Sequence, residues 1–259
     1  MTTQRELDLQ HPWMNAAGIL GFSPDLKSPV EISQLGAFVT HPVSFQPRTP
    51  ARGTRFISFP GGFLLHTGYP NPGLSAVLKR HIRRWSRSPI PVIIHLLASE
   101  TTMLGEMVEH LEGVDNVIGV EIGLHPNAHP DLACEMIRAA QGELPVIARV
   151  PFGCTPELAT ALAGAGACAL SLAPPRGLLP DTGGELVSGR LYGPAFFAQA
   201  LVAVQALVTT GVPIIGAGGV YTAENADAML SVGAVAVQID AALWREGAPL
   251  LASTRSGNR

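Results

Sequence analysis

The sequence predicts an α/β protein, a closed (β/α)8 barrel of the TIM type, on three observations. Short apolar runs end in polar or glycine-rich turns, and stretches with helical spacing lie between most of them. Most of the apolar runs carry hydrophobic residues on both faces, as strands must when helices cover the outside and neighbouring strands fill the inside. Their number is eight: Trp13 to Ala17, Ala37 to Thr40, Val92 to Leu97, Val117 to Ile122, Val146 to Val150, Ala169 to Leu172, Ile214 to Ala217 and Val235 to Ile239.

Helices fill the gaps, over Pro29 to Gln34, Thr101 to Leu111, Pro130 to Ala140, Pro156 to Ala165, Pro194 to Val208, Thr222 to Leu230, and a last one from Ala241. Several start with a proline in the first turn or a Thr or Asp cap, which suits the orphan amides of a helix start. Residues 41–91 and 173–193 are too long for plain βα loops, and long loops at the carboxyl ends of barrel strands are where function sits. No repeat, low-complexity tract or linker splits the chain, so residues 1–259 read as a single barrel domain.

Composition narrows the function. An apolar content of 47% in 259 residues supplies a large core and excludes general disorder. With 17 Lys and Arg against 20 Asp and Glu, the formal net charge is −3, and no basic field exists for a nucleic acid. Cys134, Cys154 and Cys168 are too few and too scattered for a disulfide framework or a cysteine-ligated cluster. The first ten residues are polar and charged, unlike a signal peptide or anchor, and no apolar run reaches the ~20 residues of a membrane span. These features point to a soluble, cytoplasmic protein with no nucleic-acid partner.

The strongest local signal is Ile214 to Thr222, a strand running through Gly218 and Gly219 into a capped helix start. Amides freed there can face an anion, and glycine leaves room for a phosphate. A second donor set follows the last strand, at Asp240 and Ala241, and in a barrel the turns after strands seven and eight adjoin as a phosphate cup. The plainer alternative is that Gly218 and Gly219 only make a tight turn.

These residues belong to a wider pattern. Trp13-Met14-Asn15-Ala16-Ala17-Gly18 resembles the opening strand of the class 1 dihydroorotate dehydrogenases, with its Pro-x-Met-Asn-Ala-Ser-Gly. Gly36 to Thr40 followed by Pro47-Arg48, the loop Gly68-Tyr69-Pro70-Asn71-Pro72-Gly73, the helix opening Tyr192-Gly193-Pro194-Ala195, and the segments from Ile215 to Asn225 and Val237 to Ala241 are similar to further motifs of that family, in the same order. The resemblance implies an oxidoreductase that transfers hydride between flavin mononucleotide and a small carbonyl-containing substrate. It implies the phosphate on Gly218 and Gly219 near Asp240 and Ala241, with Gly193 and Thr40 beside the cofactor and Ala16, Ala17 and Gly18 passing beneath the ring. The family's flavin-facing lysine reads Arg149 here. A charge in an apolar strand must be paired, so Arg149 is either a ligand contact or half of a buried ion pair.

Departures define what is particular to this chain. The family's Thr-Lys-Ser reads Thr40-His41-Pro42, and its catalytic Asn-x-Ser-Cys-Pro-Asn loop reads Ile122-Gly123-Leu124-His125-Pro126-Asn127. His125 stands at the cysteine position, either as the base that takes a proton while hydride leaves or as a loop histidine that bonds backbone. Asn71, Asn127 and His66 are the substrate-binding candidates, but other asparagine positions are lost, at Leu65 and over Ser171 to Pro175, so dihydroorotate is a poor match. Asp240 replaces a glycine at the cup and would repel a phosphate unless it points away. His66 and His95 could both reach the barrel mouth, but His95, in a strand, reads more simply as a satisfied core histidine. His125 and His129 do not form a metal pair, because Pro126 and Pro130 break the helix that would align them, and no other metal site is expected. The basic stretch Lys79 to Arg84 reads as a solvated helix face, or as a surface for a phosphorylated ligand or an acidic partner subunit.

Beside the oxidoreductase stand two alternatives: an isomerase or lyase using the same cup for a phosphorylated metabolite, and a catalytically silent barrel kept for assembly. A homodimer or an electron-accepting protein is the expected partner, since electrons have no cluster through which to leave.

Overall fold

The computed structural model describes residues 7–25 and 30–244. In chain order the elements are β1 (Trp13–Asn15), β2 (Phe38–Val39), β3 (Val43–Ser44), β4 (Phe56–Phe59), β5 (Gly62–Leu65), α1 (Leu74–Trp85), β6 (Val92–Leu97), α2 (Thr101–Glu109), β7 (Val117–Gly123), α3 (Pro130–Ala139), β8 (Val146–Val150), α4 (Pro156–Gly164), β9 (Ala169–Leu172), β10 (Arg176–Pro180), β11 (Leu186–Tyr192), α5 (Phe197–Val208), β12 (Ile214–Ala217), α6 (Ala223–Ser231) and β13 (Ala236–Ile239). The parallel order β1-β13-β12-β9-β8-β7-β6-β2 uses all eight of the expected strands. A parallel bridge between Met14 and Ala37 joins the two ends and closes the barrel.

Closure is thin there, since β2 is two residues long, and Asn15 reinforces it. Its side chain donates to the carbonyl of Val39 at 2.6 Å and accepts from the Val39 amide at 3.1 Å, standing in for a ladder rung. Inside the barrel, Met14, Val39, Ile93, Ile147 and Ile215 are almost wholly enclosed. Outside, Leu104, Met107, Ile137, Leu162, Val204 and Met229 pack the helices onto the strands. Apolar alternation within each strand therefore feeds two cores at once, the physical reason for the unbroken hydrophobic runs.

Boundaries differ from expectation at helix ends. The helix expected over Pro29 to Gln34 is a 3-10 turn over Ile32–Gln34, its start falling outside the described residues. Pro194 opens a 3-10 turn before α5, and Ala241–Trp244 is a third such turn, beyond which the last expected helix lies outside the described residues. Thr222 caps α6 through a capping box with Asn225.

The two long segments hold structure of their own. β4 and β5 form one hairpin, β10 and β11 another, and the two join edge to edge as a four-stranded antiparallel sheet in the order β10-β11-β5-β4. This sheet draws on chain from before β6 and from after β9. Its junction with the barrel is tight: a Cβ on Gly193, whose φ is +151°, would lie 2.1 Å from the carbonyl oxygen of Gly61. Gly193→Ala is therefore expected to cost about 2 kcal/mol and to loosen the β4–β5 hairpin. Denaturant midpoints and limited proteolysis near residue 61 check both effects.

Candidate active site

A buried carboxylate organises the carboxyl ends of the strands. Glu121 of β7 is wholly enclosed. Its Oε2 receives His95 Nδ1 of β6 at 2.5 Å and Arg149 Nη1 of β8 at 3.2 Å. Its Oε1 receives Ser171 Oγ of β9 and Gln238 Nε2 of β13, each at 2.6 Å. Parallel register sets much of this layer, since His95 lies opposite Glu121 and Arg149 opposite Ser171.

Charge state follows from these contacts. Burial pushes the Glu121 carboxyl up, but Arg149, His95 and Ser171 together hold it well below the usual carboxylate range. Burial drives His95 down despite the pull of Glu121, so the imidazole is neutral, with Nδ1–H donating to the carboxylate and Nε2 left as the proton-accepting atom. Arg149 resists its own burial because Glu121 holds it charged. Of the two readings of Arg149, the ion pair is present. The residue also borders the cavity described next.

Over this layer opens a cavity of about 1120 Å³, bounded by the loops after β3, β6, β7, β8 and β9. Four arginines line it, Arg48, Arg149, Arg176 and Arg190, together with His66, His95, His125 and His129. Among the described residues, no aspartate or glutamate does. Phe45, Leu97, Met103, Leu132, Met136 and Phe152 supply apolar wall. Arg190, on β11, is buried with its guanidinium 3.8 Å over the Tyr69 ring, Nε donating to Tyr192 Oη at 3.2 Å and Nη2 to Thr67 Oγ1 at 3.1 Å. Those partners are neutral, and Arg190 makes no ion pair among the described residues.

Of the residues singled out in the sequence, the cavity gathers Arg149, His66, His125 and Asn127. His125 is exposed at the rim, where Nδ1 accepts the Asn127 amide at 3.2 Å, the backbone-bonding alternative. Asn71 does not line the cavity but clamps the loop behind its wall: Oδ1 accepts the amides of Ser44 and Gly73, and Nδ2 donates to Tyr69 O. His129 caps α3 through the Asp131 amide. Thr40 Oγ1 accepts the His95 amide at 3.1 Å and thus positions β6 against β2. Glu121, Ser171, Gln238, Arg176 and Arg190 were not singled out as site residues. A glutamate inside the apolar run Val117 to Ile122 was the available signal, the same one that marks Arg149.

The cup end of the barrel is different in kind. Asp240 is only 4% exposed, and the amides of Ala241, Gly219 and Ala242 bear on its carboxylate. Its Oδ1 nonetheless has no hydrogen-bond partner among the described residues. Burial outweighs the amides and Arg149, pushing the carboxyl up to about 6. The amides that would receive a phosphate thus face a carboxylate of the chain itself. Ala16 and Ala17 are 2% and 5% exposed and Thr40 not at all, and Gly193, Gly218, Gly219 and Ala241 are buried. Gly18 is half-buried against Pro42 and Tyr69. As the chain stands, its phosphate end does not fit flavin mononucleotide.

A closed parallel barrel with a charged layer and a cavity at the carboxyl ends of its strands defines a ligand-binding barrel of the enzyme type. Residues 1–136 match the family described as dihydroorotate dehydrogenase. The catalytic subunit of dihydroorotate dehydrogenase B (NAD(+)) from Desulforudis audaxviator is 30% identical over 91% of this chain and 84% of that relative. The subunits of the same name from Geotalea uraniireducens and Pelobacter propionicus are 29% and 30% identical with the same coverage. The chain belongs to the dihydroorotate dehydrogenase family. No helix among the described residues is long and apolar enough to cross a membrane.

Removing the central acid leaves Arg149 buried without a counter-charge, so Glu121→Ala is expected to cost about 3–5 kcal/mol, read by denaturant titration at pH 7. A second expectation concerns pH. Burial lowers His41, whose Nε2 has no partner, from 6.5 to about 4, so its share of stability is full above pH 6.5 and is lost as pH falls toward 4. Asp240, raised from 3.8 to about 6, works oppositely, its stability being full below pH 3.8 and lost as pH rises to 6. The two slopes offset each other in the native chain. Melting curves between pH 4 and 6.5 should therefore show stability rising with pH for Asp240→Asn and falling with pH for His41→Gln.

Proposed function

We propose that this protein is an oxidoreductase of the dihydroorotate dehydrogenase class whose substrate is an anionic, carbonyl-bearing molecule with an apolar body, bound in the cavity above Glu121. One observation carries the reading: among the described residues, the cavity wall holds four arginines, four histidines and no carboxylate beside apolar surface. Such a wall attracts a carboxylate and desolvates the remainder of the molecule. The names of the relatives specify dihydroorotate, but this chain has Leu65, Ile122 and Ala173 at or near the positions where the family resemblance implies amide donors, and the volume exceeds what so small a ring fills. Unpaired carbonyls of that ring would each cost about 1–3 kcal/mol.

The chain's own residues then divide the work. Arg190, fixed by Tyr69, Tyr192 and Thr67, supplies an immobile positive charge, and Arg48 and Arg176 supply exposed ones at the entrance. His95 is the proton acceptor or donor nearest the buried layer, its tautomer fixed by Glu121, in the arrangement by which a carboxylate orients a catalytic imidazole. His125 is a rim group that meets the ligand after entry. Gly123 serves His95 through its missing side chain, since a Cβ there would come within 2.8 Å of His95 Nε2.

A second reading is favoured by Asp240 at the cup and by the neutralisation of Arg149: a barrel that binds the same anion, transfers no hydride and works through a partner chain. Both readings share the ligand class. A thermal-shift series running from orotate to aryl- and alkyl-substituted 2-oxo acids, with the matching amides, tests it. Stabilisation is expected to grow with the apolar body and to vanish for the amides. A strongest response to orotate, or equal responses to acids and amides, would overturn the assignment. Arg176→Glu, a change on exposed surface, is expected to weaken the best acid about tenfold, or roughly 1.4 kcal/mol, by calorimetric titration.

A further inference from the structure

The cup after β12 and β13 poses a problem that the cavity reading leaves unsolved. Two glycines, Gly218 and Gly219, take positive φ there, at +105° and +68°, which is backbone suited to presenting amides to a ligand. The space beside the turn is already used. A Cβ on Gly219 would lie 2.4 Å from the Phe197 amide nitrogen at the start of α5, and one on Gly218 would lie 3.1 Å from Ala200 Cβ. The Gly219 amide, with those of Ala241 and Ala242, bears on the Asp240 carboxylate, one oxygen of which is buried and has no hydrogen-bond partner among the described residues. A native chain rarely buries a carboxylate oxygen unpartnered, and each such group calls for an explanation.

We propose that Asp240 is a specificity-determining residue that makes this cup reject a phosphate dianion, so that the chain discriminates against phosphate-ended flavin and in favour of a neutral, hydroxyl-ended one. Two like charges sharing one set of three amides repel strongly in a buried site, and neither can be moved into water while both stay bound. A terminal hydroxyl faces no such repulsion. It can donate to the free oxygen of Asp240 and so remove the orphan. The inference depends on the cup alone and is independent of which anion the Arg190 cavity takes.

Binding of flavin mononucleotide and of riboflavin to the full chain is measured at pH 8 by equilibrium dialysis and by quenching of flavin fluorescence, for the native protein, Asp240→Asn and Asp240→Gly. The native protein is expected to hold flavin mononucleotide no more tightly than riboflavin. Asp240→Gly is expected to gain roughly 100-fold for the phosphorylated form and little for riboflavin, with Asp240→Asn in between. Because Asp240→Gly could loosen the last turn, Asp240→Asn, which keeps the shape, is the control. Its melting temperature at pH 8 should exceed the native value, since it no longer carries a buried charge. The proposal is overturned if the native chain prefers flavin mononucleotide, or if neither substitution raises affinity for it. Binding of the 2-oxo acids should be unchanged in both variants, so failure here and failure of the cavity assignment give separate signatures.

Discussion

The structure turns on a single ionised carboxylate in the middle of a barrel. Glu121 is fully enclosed, and four other strands each send one side chain to it: His95, Arg149, Ser171 and Gln238. Burying a carboxylate alone would cost several kcal/mol, far more than any one hydrogen bond returns. Four donors, one of them a guanidinium, saturate both oxygens and convert the penalty into a constraint. Each donor has one geometry that works, so the carboxyl ends of β6, β7, β8, β9 and β13 are fixed relative to one another by polar contacts as well as by the ladders.

That constraint decides the chemistry above it. The charge of Arg149 is spent on Glu121, so the positive potential of the cavity comes from Arg190 and, at the entrance, from Arg48 and Arg176. Arg190 reaches the barrel from the antiparallel sheet rather than from a barrel strand, and the stacked aromatic set of Phe63, Tyr192 and Trp244 supports the sheet where it meets the barrel. The sheet therefore does more than cover an open end. It carries the charge that a ligand meets, and its seating through Gly193 and Gly61 sets where that charge lies.

How much of this was legible depended on whether the signal was local. All eight barrel strands were readable, because burial on both faces leaves an unbroken apolar run that few other structures require. Arg149 is legible as a charge that needs a partner, and the Glu of Val-Glu-Ile is that partner, since opposite charges inside two neighbouring apolar strands are a pairing signal. The hairpins were missed for another reason. Phe56-Ile57-Ser58-Phe59-Pro60-Gly61-Gly62-Phe63 and Asp181-Thr182-Gly183-Gly184 have the turn residues of hairpins, but they sit inside segments read as loops because the barrel frame had no place for a second sheet. His95 shows the limit of residue-by-residue weighing. It is the satisfied core histidine that its strand position suggests, and it also borders the cavity, because the group that satisfies it is the carboxylate beneath the site.

Charge placement distinguishes this barrel from one built around an external phosphate. At the ends of β12 and β13 the amide donors already have an anion, Asp240, supplied by the chain, whereas Arg190 on β11 meets an aromatic ring and two hydroxyls. A bound anion lowers the electrostatic energy at the second place and raises it at the first. Within one barrel, the arginines of the cavity are suited to a negative charge and the strand-end amides beside Asp240 are not. A change of ligand needs no change of fold here, because the fold fixes only where the strand ends are, and the side chains at those ends decide which sign of charge they accept.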